Sequence, residues 1–143
     1  GESYGGYAAM LGLTMFAGAY DAAVELVGPS NLVSFLENTA PYRRAMRISE
    51  YGDPGKDRDA LLQRAPVTFV ARAKAPLLMM QGANDPRVPV SEALQMLEAL
   101  KPGGQPNQLF VFPDEGHVMQ RHSNKALLYG HALRWFETHL KVP

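Results

Sequence analysis

Apolar and polar residues alternate in blocks along the chain, and the period of each block predicts an element. From Ser3 to about Ala17, "SYGGYAAMLGLTMFA" is apolar nearly all round, as in a helix buried on most sides. "DAAVELVG" (Asp21 to Gly28) predicts a short strand closed by the turn cluster "GPSN". Asn31 to about Tyr51 carries two helical pieces, "NLVSFLENTA" and "YRRAMRISEY", parted by Pro41, which cannot sit inside a helix. After the polar loop "GDPGKD", "DRDALLQRA" predicts a helix capped by Asp57 or Asp59. "APLLMMQG" (Ala75 to Gly82) is a continuous apolar run bounded by Pro and Gly, the pattern of a strand buried on both faces. "SEALQMLEALK" (Ser91 to Lys101) predicts an amphipathic helix with Ser91 as its N-cap, and "QLFVF" (Gln108 to Phe112) a further buried strand. "SNKALLYGHALRWFETHL" (Ser123 to Leu140) predicts a closing helix with Leu127, Leu128, Ala132, Trp135 and Phe136 on one face.

Strands alternating with helices predict an α/β fold with a parallel sheet. Three parallel strands flanked by helices would leave an inner edge open, which proteins normally cover. A further strand is therefore expected before Gly1. The length of 143 residues suits one domain with a real core, and 46% hydrophobic with 20% charged residues is an ordinary globular balance. Lys+Arg and Asp+Glu are 14 each, so no basic stripe points to nucleic acid. The absence of cysteine excludes disulfides, thiol catalysis and Cys-ligated metals, and leaves a cytoplasmic or periplasmic location equally open. The most apolar stretch, Tyr7 to Tyr20, is shorter than a membrane span and interrupted by Gly12, Thr14 and Gly18.

Candidate chemistry begins at the first residues. "GESYG" has the Gly-x-Ser-x-Gly form of a nucleophile elbow, the tight strand-to-helix turn that lifts a Ser hydroxyl above the carboxyl end of a sheet. Ser3 would be the nucleophile, and the backbone N–H of Tyr4, next in sequence, one oxyanion donor. Such a hydrolase needs an acid and then a His, each after a later strand. "QGANDPRVP" follows the second strand and offers Asp85; "PDEGH" follows the third and offers His117. Three residues at three carboxyl ends, in the required order, make a far more specific signal than any one alone. His117 would take and return the Ser3 proton while Asp85 orients the imidazole. Asp114, on the same loop as His117, is expected to shape that turn. His122 suits a surface or capping role, and His131 and His139 a partly exposed helix face. No His pair has metal-ligand spacing with a carboxylate, so neither metal nor cofactor is expected. Arg87 suits either solvent or substrate contact.

Taken together, "GESYGGYAAM", "VGPSNLVSFLE", "PLLMMQGANDPRVPVSEA" and "FPDEGHVMQRHSN" resemble the catalytic domain of the prolyl oligopeptidase family over nearly the whole chain. The nearest group is its bacterial dipeptidyl aminopeptidase and acylaminoacyl-peptidase-like members. The resemblance implies the C-terminal portion of an α/β-hydrolase fold, with the upstream strands and a β-propeller preceding Gly1, and a serine peptidase acting on short peptides. It matches Ser3 to the nucleophile, Asp85 to the acid and His117 to the base. "GHVMQRHSN" departs from the family's usual "GHGF" continuation, so the pocket wall there is this chain's own. Expected partners are a short peptide and the upstream part of the same protein, with a homo-oligomer left open and no nucleic acid and no membrane. An esterase or thioesterase on the same fold, and an inert interaction module, are the competing readings.

Overall fold

The computed structural model describes residues 1–140. Its centre is a parallel sheet of β1 (Ala23–Leu26), β2 (Leu77–Gly82) and β3 (Asn107–Phe112) in that spatial order, with Ala23 beside Leu77 and Leu77 beside Asn107. Parallel neighbours need crossovers. α5 (Val90–Leu100) makes one between β2 and β3. The other, between β1 and β2, is a longer helical excursion of α2 (Leu32–Asn38), α3 (Pro41–Tyr51), α4 (Arg58–Leu62) and a 3₁₀ segment, Pro66–Arg72. α1 (Tyr4–Leu13) precedes β1, and α6 (His122–His139) closes the described chain.

β2 is buried along its whole length, as its unbroken apolar run predicts. Alternation sends its side chains to opposite faces. Leu77 and Met79 join Met10, Leu13, Met96 and Leu100 beneath α1 and α5, whereas Leu78 and Met80 join Phe112, Met119, Leu128 and Trp135 beneath α6. Each such fully buried side chain contributes about 1.5–3 kcal/mol by leaving water. A third cluster, Tyr7, Leu32, Val33, Phe35, Leu36, Leu61 and Val88, packs the helical excursion onto the sheet's carboxyl end.

Several expectations need correction. Among the described residues β3 is an edge strand, not a buried one; Val111 and Gln108 are exposed, because β2 alone lies beside it there. α1 stops at Leu13, where the Thr14 hydroxyl donates back to Met10 O at 2.8 Å, and its Tyr4 and Ala8 are exposed. α5 begins at Val90 after Pro89, so Ser91 lies inside the helix and is not its cap. Asp57 does stand at the N-cap of α4, but its carboxylate accepts the Asp53 N–H at 2.8 Å and braces the loop instead. On α6 the buried stripe is Leu128, Ala132 and Trp135 at i, i+4, i+7; Leu127 faces solvent.

Gly1–Ser3 run beside the edge of β1 that faces away from β2. Glu2 and Leu26 form a parallel bridge, Leu26 N–H donates to Gly1 O at 2.8 Å, and Ser3 N–H donates to Leu26 O at 2.8 Å.

Candidate active site

Ser3 adopts φ 56°, ψ −116°, a left-handed conformation that costs a non-glycine residue about 1–3 kcal/mol. Two hydrogen-bonded neighbours hold it there: its N–H donates to Leu26 O, and its C=O accepts from Tyr7 N–H at 3.0 Å. Close packing at the turn rests on Gly1 and Gly6. A Cβ on Gly1 would run into the Gly5 carbonyl, and one on Gly6 would stand 2.7 Å from Leu26 O. Gly5, the third glycine of the motif, meets nothing within 4 Å among the described residues. Tyr4 is the first residue of α1, where a backbone N–H has no intrahelical acceptor.

Asp85 and His117 stand where the strand order puts them, just past the carboxyl ends of β2 and β3. Asp85 is 7% exposed, and its carboxylate accepts four donors. Oδ1 takes the N–H groups of Arg87 (2.8 Å) and Val88 (3.0 Å); Oδ2 takes His117 Nδ1 (2.7 Å) and Gln81 Nε2 (3.3 Å). A carboxylate can only accept, so Nδ1 carries the imidazole proton and Nε2 is left as an acceptor. That nitrogen lies 2.9 Å from Ser3 Oγ. The three residues thus form one continuous relay from hydroxyl to imidazole to carboxylate.

The two loops that carry the relay are tied to each other. Ala83 N–H donates to Phe112 O (2.9 Å), Asn84 N–H to Glu115 O (3.0 Å) and the Asn84 amide to Pro113 O (2.8 Å). Glu115 is 2% exposed and braces the segment after His117. Its Oε2 accepts Gln120 N–H, and its Oε1 accepts Arg121 N–H and the Asn124 amide, between 2.8 and 3.0 Å. Those bonds, Gln120 N–H first, hold its carboxyl below the usual range. Asp114 pairs with Arg121 at 2.8 Å and accepts Asn124 at 2.9 Å, the turn-shaping position expected of it.

A cleft of about 80 Å³ opens beside Ser3 and His117. Its apolar wall is Pro29, Phe35, Tyr51 and Val88 with the Tyr4 ring, and Arg47 and Arg87 stand at its polar side. Phe35 and Tyr51 meet edge-on at 5.8 Å between centroids. The Pro29 loop is held by Glu92 of α5, which is fully buried: Oε2 accepts Ser30 N–H (3.0 Å) and Asn31 N–H (2.9 Å), and Oε1 accepts the Ser34 hydroxyl (2.5 Å). Burial pushes the Glu92 carboxyl up, against the pull of these donors.

Gln81, Glu92, Glu115 and the α3 residues of the cleft went unnoticed in the sequence. Gln81 did leave a trace as the one polar residue of the run "PLLMMQG", since a buried amide must find partners. Its Nε2 donates to Val88 O at 3.1 Å as well as to Asp85, so it ties the acid loop to its own strand. His131 stacks on Phe110 at 3.9 Å and His139 packs on Trp135 at 4.2 Å. His122 begins α6. No group of three or more potential metal ligands occurs among the described residues, and none of their helices is long and apolar enough to cross a membrane.

Residues 1–143 match the model of the prolyl oligopeptidase family. The chain is 41% identical to dipeptidyl aminopeptidase BIII of Pseudoxanthomonas mexicana over 129 residues, covering 87% of this chain and 19% of that protein. It is 36% identical to dipeptidyl peptidase family member 6 of Caenorhabditis elegans over 137 residues, 92% of this chain and 18% of the relative. A puromycin-hydrolyzing peptidase of Mycobacterium tuberculosis superimposes with a TM-score of 0.92 at 25% identity, over 100% of this chain and 22% of its own. The chain therefore spans about a fifth of the length of these relatives.

Proposed function

The chain belongs to the prolyl oligopeptidase family and has a portion of its α/β-hydrolase fold, and from that premise we propose that it carries the chemical step of a serine peptidase for short peptides. The observation that carries the reading is the relay of Ser3 Oγ, His117 Nε2, His117 Nδ1 and Asp85 Oδ2, joined by contacts of 2.9 and 2.7 Å. Ser3 Oγ attacks the scissile carbonyl carbon as its proton passes to His117 Nε2. The carbonyl oxygen becomes an oxyanion and takes the Tyr4 N–H. The C–N bond then breaks, His117 gives its proton to the departing amine, and an ester to Ser3 remains. Water, deprotonated by His117, attacks that ester, and the proton returns to Ser3 Oγ as the acid product leaves. Asp85 orients the imidazole and stabilises the imidazolium that forms. The aromatic wall of Phe35, Tyr51 and Tyr4 is suited to an apolar side chain next to the scissile bond.

On the same reading, the chain is the C-terminal part of a catalytic domain. The parallel pairing of Glu2 with Leu26 extends the sheet past β1 and supports an upstream strand there. The small share of the relatives' length supports it too.

A fluorophosphonate applied to the full-length protein tests the reading. It is expected to label Ser3 alone, and Ser3→Ala or His117→Ala is expected to lower turnover of a peptide p-nitroanilide by several orders of magnitude, non-additively. Label on Ser30 or Ser91 with Ser3 untouched refutes the assignment. An unreactive Ser3 in active-looking, folded protein favours an inert module, and ester turnover without peptide turnover favours an esterase.

A further inference from the structure

β1 carries one residue that the relay does not use. Glu25 lies on the face of the sheet covered by α1, beside Ala23 and in register with Met79, and is fully buried. An aliphatic side chain is the ordinary occupant of such a position. Its Oε2 accepts the Gly28 N–H at 2.9 Å, and Oε1 is buried with no hydrogen-bond partner among the described residues.

The space around that carboxyl exists because two glycines flank it. A Cβ on Gly6 would lie 2.9 Å from Glu25 Oε2 and 3.0 Å from the Gly28 Cα. A Cβ on Gly28 would lie 2.8 Å from the same oxygen and 2.7 Å from Tyr7 N. The first turn of α1, the Glu25 carboxyl and the turn after β1 are thus packed as one stack. Between Glu25 and Gly28, Val27 takes φ 46°, a conformation that β-branched residues avoid. The Gly28 bond to Glu25 and the Val27 N–H bond to Met80 O (3.1 Å) hold the turn on either side. Leu26, the residue between Glu25 and Val27, is the one whose N–H and C=O anchor Gly1 and Ser3.

We propose that Glu25 is a positioning residue for the nucleophile: its carboxyl is the spacer between α1 at Gly6 and the Val27–Pro29 turn at Gly28. It thereby sets where the Ser3 hydroxyl and the Tyr4 N–H stand relative to His117. The inference rests on Ser3 being the nucleophile. What matters is the length and shape of the side chain, not its charge. Burial pushes its pKa up to about 8, so near neutral pH the group is mostly an uncharged acid, for which glutamine is the isostere.

The test is made in the full-length enzyme, with active sites counted by fluorophosphonate so that kcat is expressed per reactive Ser3. Glu25→Gln is expected to keep kcat within about threefold. Glu25→Asp withdraws the carboxyl by one methylene, a displacement on the order of 1 Å, and is expected to lower kcat about 10- to 100-fold and slow Ser3 labelling in parallel, with KM within about threefold. A residue that merely supported the fold would lower Tm and the titratable fraction while leaving kcat per site alone. That result for Glu25→Asp overturns the proposal. A loss in Glu25→Gln equal to that in Glu25→Asp overturns it as well, because charge and not spacing would then be what counts. Absence of label on Ser3 in the parent enzyme overturns the peptidase reading itself, and this inference with it.

Discussion

Gly82 ends β2 against the backbone of the Glu115–Gly116 segment that carries His117, and Gly82→Ala is a substitution aimed directly at the relay. A Cβ there would stand 2.8 Å from Glu115 O and closer still to Gly116 O. Both obstacles are backbone, so no flexible side chain can swing away. Relief requires the 115–117 segment to retreat by roughly 1 Å, a misplacement that costs about 100-fold in turnover. His117 rides on that segment with contacts of 2.7 Å to Asp85 and 2.9 Å to Ser3, and an added ångström takes both beyond hydrogen-bonding reach. Overpacking adds a stability cost of about 1–3 kcal/mol. In the full-length protein, kcat on a peptide p-nitroanilide is therefore expected to fall about 100-fold, with a modest loss of Tm by calorimetry. Gly116→Ala is the internal control. Its Cβ would meet only Asn84 O at 3.7 Å, ordinary contact, and kcat should stay within about twofold. Equal turnover in the two variants would refute the claim that Gly82 sets the spacing of the loops.

Asp85→Asn should fold normally yet lose about 10⁴-fold in kcat, because an amide in place of Oδ2 no longer fixes the Nδ1–H tautomer; Asp114→Asn, which loosens an exposed pair with Arg121, should lose less than about tenfold. Comparable losses would mean that the wrong carboxylate has been chosen. Expressed alone, residues 1–143 should be oligomeric, insoluble or inactive on p-nitroanilides, since among the described residues only the short Gly1–Ser3 segment covers the outer edge of β1 and the groove along Gly5, Ala8 and Ala9 is open; a soluble monomer with ordinary turnover would refute the fragment reading. Glu25 makes stability depend on pH. Its pKa in the fold is raised from 4.5 to about 8, chiefly by burial and against the Gly28 N–H. Its contribution is thus complete below pH 4.5 and is lost as pH rises through 8, at about 1.4 kcal/mol for each pH unit between those values. Calorimetry should show wild type losing ground to Glu25→Gln across that window, and parallel pH curves for the two would exclude a buried, uncharged Glu25.

How much of this could be read beforehand depends on whether the information is local. The parallel order of strands, the buried run of β2 and the positions of Ser3, Asp85 and His117 are local matters, each a short pattern beside a strand end. Amphipathic faces were read less well. Leu127 and Phe136 belong to a helix whose apolar residues exceed what one sheet face can cover, so only packing decides which of them turn inward. β3 reads as a buried strand because "LFVF" is a continuous apolar run, and an edge position can be recognised only from the absence of a neighbour. Ser91 and Asp57 have the chemistry of caps, but α5 already begins at Val90, after Pro89, and the Asp57 carboxylate accepts the Asp53 N–H instead.

The supports of the site were hidden for a related reason: they are long-range bonds to backbone groups. Glu92 reaches Ser30 and Asn31 across the sequence, Gln81 reaches Val88, and Asn84 reaches Pro113. None of these partners carries a chemical signature, because any residue supplies a backbone N–H or C=O. The same logic separates the glycines. Gly5 belongs to the recognisable motif yet has free space around it here, while Gly6, Gly28 and Gly82 lie outside the motif and each stands against backbone or a buried carboxyl. On the proposed reading the elbow motif marks Ser3 Oγ as the reacting atom, and the 2.9 Å between it and His117 Nε2 depends on Gly6, Gly28, Gly82 and the buried Glu25 around it. Substitutions at those unmarked positions should therefore impair turnover with Ser3, Asp85 and His117 all intact.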